Sequence, residues 1–369
     1  MEERGAILAS LDGASYQISA GGSLSNTLMA LARLSTTGVQ RSGARELRVA
    51  MAGLVGSDPL GAFYTSQMRE AGVEVLSAPV AGTHTGTVCV LTTPDAQRTM
   101  LSYLGTPAEV EVDAALEAAI SRSRMLVVEG YLWELPNAGS TILRAIEAAQ
   151  RAGTAVAMTA GDAGVVERHH AEIWDAIGRG IDLLFTNAGE AAALLKYLPE
   201  HRAAATAAGG EESPHASSSG SCCSCGKGSW SAASSSGSTR GSAFGTASSS
   251  PAQQAALALG PFCSMVVVTD GSAGSYITAL GQLHVVPPVW MPNPPVDTCG
   301  AGDSYAAGLL YSLLQNHTIT SMGRTAARTA AAVISVHGAH LTPEAALALA
   351  DQLPTSTPTS FFESLTAHF

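Results

Sequence analysis

Short apolar runs rich in β-branched residues alternate with stretches of helical spacing along most of this chain, and that alternation restricts the fold more than any other feature. Strands are expected at residues 49–55, 73–75, 125–128, 155–158, 181–185 and 264–269. Helices are expected at 27–34, 60–71, 113–121, 138–151 and 171–178. Repetition of this kind builds a sheet of parallel strands covered by helices, an α/β fold. Residues 83–103 depart from it, because apolar and polar residues alternate there about a Pro94-Asp95 turn, as in an antiparallel hairpin.

Between about residues 200 and 250 both patterns stop. Ala, Gly and Ser dominate that segment, which offers too little apolar surface to offset the entropy of ordering it, so it reads as a disordered insertion within one domain spanning 1–369. Such insertions are tolerated because closure entropy grows slowly with length. Gly220, Gly226 and Lys227 suggest a Walker loop, yet Gly228 stands where that loop needs Ser or Thr. Cys222, Cys223 and Cys225 share the tract without histidines at zinc-finger spacing, and Cys89, Cys263 and Cys299 are scattered, so neither a structural zinc nor a disulfide framework is expected.

Composition narrows the partners. With 369 residues, 46% of them hydrophobic, the chain can bury a substantial core. It carries 30 acids against 19 bases, a net charge of −11, and has no run of Lys or Arg to track a nucleic-acid backbone. No apolar stretch approaches the roughly 18 residues that cross a bilayer, and Glu2, Glu3 and Arg4 spoil a targeting sequence. A cytoplasmic protein with neither a nucleic-acid nor a membrane partner is expected.

The chemistry concentrates at Asp297-Thr298-Cys299-Gly300-Ala301-Gly302-Asp303, where two glycines and an acid open an apolar helical run. Gly300 and Gly302 let the backbone approach a ligand, and a helix starting there aims its amides and dipole at an anion. Asp303 could accept a proton from an alcohol while the amides of Gly300, Ala301 and Gly302 hold charge moving onto phosphate. Plain capping is the rival, since acids are also favoured in a first helical turn.

Asp297 to Asp303 matches every fixed position of the D-T-x-G-A-G-D signature and resembles the ribokinase-like (PfkB) carbohydrate and nucleoside kinases. In that family's order follow Gly21-Gly22-Ser23-Leu24-Ser25-Asn26, the glycine-rich stretch Gly53 to Gly61, Asn187-Ala188-Gly189-Glu190, and Thr269-Asp270-Gly271-Ser272-Ala273-Gly274, with details closest to the adenosine-kinase-like branch. The resemblance implies a three-layer αβα sandwich with a mainly parallel central sheet and a small antiparallel β lid made by 83–103. It implies Asp303 as catalytic base, Gly300, Ala301 and Gly302 as the anion hole, and ATP with Mg²⁺. Asn187 and Glu190 would help hold the hydrated metal, although the same pair is a natural helix cap. Thr269, Gly271 and Gly274 would contact the nucleotide, with an ordinary strand-ending turn as the rival. Gly21, Gly22 and Asn26 would bind the acceptor sugar, and Arg98 on the lid would reach it unless it is a solvated edge residue.

The start of the chain departs from the family pattern. Members begin with an apolar strand and a sugar-binding aspartate, whereas Asp12-Gly13 reads here as a turn and no counterpart of that strand is evident. Loss of a central strand would leave unpaired ladder groups on its neighbours. Either an active kinase lacks its first strand in this sequence, or the acceptor site has decayed. The leading expectation is an ATP-dependent kinase acting on a primary hydroxyl of a small sugar or nucleoside, adenosine-like compounds being favoured. The alternatives are a fructose- or ribose-type sugar kinase and a catalytically impaired scaffold. The lid strand could also pair a second subunit into a homodimer.

Overall fold

The computed structural model describes residues 17–93, 98–105, 110–198 and 249–353. Its centre is a six-stranded sheet of β5 (Met125–Val128), β6 (Ala155–Thr159), β7 (Leu183–Asn187), β8 (Met265–Thr269), β9 (Ser275–Ala279) and β10 (Gln282–Val286), adjacent in that order. The pairs from β5 to β8 are parallel, and β9 and β10 continue antiparallel.

Strand alternation sorts the core into two faces. Ala155, Ala157, Leu183, Phe185, Met265 and Val267 pack with α1 (Ser23–Ser42), α8 (Ala301–Leu314), α9 (Ile319–Ile334) and α10 (Pro343–Ala350). Their neighbours Val156, Met158, Leu184, Val266 and Val268 pack with α4 (Ala138–Ala152), α5 (Ala163–Gly180), α6 (Ala188–Lys196) and α7 (Pro251–Leu259). A strand buried on both faces needs a continuous apolar run, which is why Met-Val-Val-Val at β8 carries no polar alternation. Three layers result, as the sequence led one to expect.

Two smaller sheets complete the described residues. In one, β1 (Val49–Met51) pairs in parallel with β2 (Val73–Val75), and α2 (Pro59–Glu70) connects them. In the other, β3 (Thr87–Thr92) and β4 (Arg98–Tyr103) form the antiparallel hairpin, whose Pro94-Asp95 turn lies outside the described residues. Asp58 joins the two regions. Its carboxylate caps α2 through the Gly61 amide at 2.8 Å and accepts from the Thr85 amide and hydroxyl at the entry to the hairpin. These donors hold it down at about pKa 2.

Two boundaries differ from the sequence reading. The strand expected over 49–55 ends at Met51, because Gly56 is pressed against the backbone at Thr83, where a Cβ would stand 2.4 Å from the carbonyl oxygen, and the chain must bend to make that approach. The helix expected at 171–178 begins at Ala163, where Asp162 accepts from the Val165 amide and starts it two turns early. The expected insertion at 200–250 lies outside the described residues except for Ser249 and Ser250, the latter capping α7.

Candidate active site

Most described helices are capped by a side chain, but α1 and α8 begin on glycine with none. Gly22 takes φ +111° and Gly300 φ +74°, conformations that glycine reaches without strain. Both helix starts line one large cleft. There the Asp303 carboxylate accepts from Ser23 Oγ at 2.8 Å and from Asn26 Nδ2 at 2.7 Å, and Thr27 Oγ1 donates to the Asp303 carbonyl at 3.2 Å. The acid in the first turn of α8 therefore reaches across the cleft to α1. Gly302 has open space where a Cβ would be, so a ligand can approach that amide closely.

A third element closes the group. Glu129 directly follows β5 and is 6% exposed; it accepts from Thr159 Oγ1 at 2.8 Å and makes a further hydrogen bond with Ser23. Burial pushes its carboxyl upward, and the nearby Asp303 charge adds to the shift. Glu129 Oε2 and Asn26 Oδ1 are both buried without a protein partner. Buried oxygens in that condition are costly unless a ligand or water donates to them, so the cleft offers two acceptors to hydroxyl groups beside Asp303.

On the neighbouring strand, Asn187 and Glu190 form a reciprocal cap at the start of α6. Asn187 Oδ1 accepts from the Glu190 amide at 2.9 Å, while the Glu190 carboxylate accepts from the Asn187 amide and side chain. The capping alternative is thus realised in full. Glu190 also lines the cleft, and burial, with Asp162 and Glu129 nearby, pushes it up to about 7 against the Asn187 hydrogen bond. Because the folded state holds this proton more tightly, the stability due to it is complete below the usual value of 4.5 and is lost as pH rises through about 7. Melting temperatures between pH 4 and 8 should show a decline worth roughly 3 kcal/mol. Glu190→Gln should remove that slope.

The chain matches the pfkB family carbohydrate kinase description over residues 8–217 and 242–346. The chain belongs to the pfkB family of carbohydrate kinases. Among solved structures this kinase is similar to adenosine kinase from Sinorhizobium meliloti, at 25% identity and TM-score 0.71, with 95% of this chain and 88% of that one covered. It also resembles Anopheles gambiae adenosine kinase in complex with P1,P4-di(adenosine-5) tetraphosphate, at 21% identity and TM-score 0.66, covering 93% and 88%. A third likeness, at 17% identity and TM-score 0.60 with 89% and 87% covered, is Arabidopsis thaliana ribokinase complexed with ribose and ATP. No curated protein matches the sequence. Among the described residues no helix is long and apolar enough to cross a membrane.

This pfkB-family member is a carbohydrate or nucleoside kinase, and ATP as phosphoryl donor follows from the family. The structure gathers Gly21, Gly22, Asn26, Asn187, Glu190, Gly300, Ala301, Gly302 and Asp303 around one cleft. It leaves Thr269, Gly271 and Gly274 off that lining. Thr269 pairs with Asn187 one strand over, and Gly274 is required by packing, since a Cβ there would lie 2.3 Å from the Val286 carbonyl. Arg98 opens β4 on the hairpin, and its side chain lies outside the described residues. Glu129 is the participant that sequence reading missed. Its signal was an acid at the carboxyl end of the apolar run Met-Leu-Val-Val, followed by Gly130, where a Cβ would meet the Ala160 backbone at 2.4 Å. Residues 218–241 fall outside the family match, so excising them should leave the melting transition and phosphoryl transfer unchanged. Calorimetry of the shortened chain checks this, and loss of a cooperative transition would make the tract structural.

Proposed function

We propose that this kinase transfers the γ-phosphoryl group of ATP to a primary hydroxyl of a ribose-containing nucleoside, with adenosine-like compounds favoured. The observation that carries this reading is the Asp303 carboxylate held between Ser23 and Asn26 in front of the uncapped start of α8. The acceptor oxygen forms a bond to phosphorus as the bond to the ADP oxygen breaks, and its proton passes to Asp303. The amides of Gly300, Ala301 and Gly302 take up charge on the transferring group, aided by the dipole of α8. The unpartnered oxygens of Asn26 and Glu129 accept the acceptor's other hydroxyls and orient it. Likeness to the Sinorhizobium meliloti adenosine kinase supports the nucleoside over a free sugar.

Mg²⁺ bound to ATP would neutralise phosphate charge. Both Glu190 oxygens already accept from Asn187, so Asn187 and Glu190 would act on the ion through its water shell and not as direct ligands. Glu190→Gln should raise the Mg²⁺ concentration needed for half-maximal rate, and an unchanged metal titration would remove the pair from the metal's surroundings. The function itself is tested by ATP consumption with purified protein and a panel of nucleosides and sugars. Turnover greatest with adenosine-like nucleosides is expected. Preference for ribose or fructose would shift the assignment to a sugar kinase.

A further inference from the structure

The connection between α9 and α10, residues 335–342, reaches both of the helices that meet at Asp303. On the α8 side, the Gly338 amide donates to Asp297 at 3.1 Å, and the Ala339 backbone lies against Gly300. On the α1 side, His340 Nε2 donates to the Ala20 carbonyl at 2.6 Å, and Arg33 Nη1 donates to the Leu341 carbonyl. Gly338 to Leu341 therefore hold α8 with their first pair and α1 with their second.

The Ala20 bond falls where α1 most needs it. Gly21 and Gly22 separate Ala20 from the helix; both are exposed, and a Cβ at Gly21 would meet nothing within 4 Å. Backbone of that kind has wide conformational freedom. α1 also begins without a side-chain cap, so its first turn takes little support from its own sequence. Ala20 is 2% exposed, and the His340 ring satisfies its carbonyl. Fixing that carbonyl fixes the entry to the turn that carries Ser23 and Asn26, the two side chains that hold the Asp303 carboxylate.

A carbonyl oxygen can only accept, so His340 carries its proton on Nε2. Burial, together with the charge of Arg33, holds its pKa below the usual 6.5 against the pull of the Ala20 bond, and the ring is neutral at pH 7.

We propose, on the reading of Asp303 as base and α1 as the acceptor side, that His340 is a positioning residue for phosphoryl transfer. It holds the Ala20 carbonyl so that Ser23 and Asn26 stand opposite Asp303, while Gly338 and Ala339 hold the start of α8. What the bond supplies is precision, since the acceptor oxygen and phosphorus must approach to about 3–3.5 Å in line.

Three replacements separate a placed donor from a filled space. The Gln amide nitrogen reaches about as far as Nε2, the Asn nitrogen stops near Nδ1, and Ala has no donor. With the acceptor that turns over fastest, His340→Ala and His340→Asn are expected to raise its KM up to about tenfold, the equivalent of one hydrogen bond, and to leave KM for ATP little changed. His340→Gln should recover most of that loss. Equal kinetics in the parent and all three variants, or His340→Gln as impaired as His340→Ala, would overturn the assignment. Hydrogen exchange reads the same bond without turnover. Amides of residues 21–26 should exchange faster in His340→Ala and His340→Asn than in the parent or His340→Gln, with the rest of the chain unchanged. A parent that phosphorylates no sugar or nucleoside would sink the proposed function, and the exchange pattern would still decide His340. Identical exchange in all four proteins, or faster exchange spread over the whole chain, overturns the positioning role.

Discussion

Asp303→Asn is expected to lower phosphoryl transfer about 10²–10⁴-fold, the usual contribution of a positioned general base. The substitution is close to isosteric and disturbs little else. An amide oxygen at that position still accepts from Asn26 Nδ2, and its NH₂ group can donate to Ser23 Oγ, so both α1 contacts survive, with donor and acceptor exchanged only at Ser23. Melting temperature should therefore stay near that of the parent, while kcat and kcat/KM fall together, because what is removed is an interaction made only in the transition state. Steady-state kinetics beside calorimetry separate the outcomes. A variant that melts normally and retains its rate would show that Asp303 only orients Ser23 and Asn26. One that loses both stability and rate would assign it to the α1–α8 contact instead of to proton transfer.

The sheet was legible in the sequence wherever burial on both faces forces a near-continuous apolar run: the strands expected at 155–158 and 264–269 were placed to within one residue. Legibility failed where a boundary depends on a distant backbone. Nothing local at Ala52 ends β1; the approach of Gly56 to Thr83 does. The hairpin of β9 and β10 went unread because it follows the Gly271 to Gly274 turn, where glycines were assigned to a ligand while their need is partly steric. In the candidate site, the signature at Asp297 to Asp303 was readable because amide donors and an acid must fall within one helical turn. Glu129 was not, since its part depends on Ser23 and Thr159 converging from distant elements. Acids at the carboxyl ends of adjacent parallel strands are the general signal that would have found it, for such ends open onto the ligand crevice in α/β sheets.

Gly300→Ala should be the most damaging single methyl added to the site. The position holds φ +74°, where alanine costs about 1 kcal/mol relative to glycine. A Cβ there would also stand 2.4 Å from the Ala339 carbonyl oxygen and 2.8 Å from its Cα. That neighbour is backbone and cannot rotate away. Asp297 further resists any shift, because one of its oxygens accepts from the Cys299 amide at 2.9 Å and the other from the Gly338 amide at 3.1 Å, tying the two loops together. Overpacking adds about 1–3 kcal/mol, for a total loss of roughly 2–4 kcal/mol in unfolding experiments. Relief is available by tilting the start of α8, which moves its amides and Asp303 away from Ser23 and Asn26; displacements near 1 Å cost about 10²-fold in rate. Gly302→Ala separates the two effects, since a Cβ there meets nothing within 4 Å and φ is not positive. Its melting temperature should match the parent, and its rate should fall only if phosphate oxygens approach that amide closely. Full activity in Gly302→Ala, beside a Gly300→Ala variant whose rate loss is recovered once folding is restored, would place the anion hole elsewhere in the cleft.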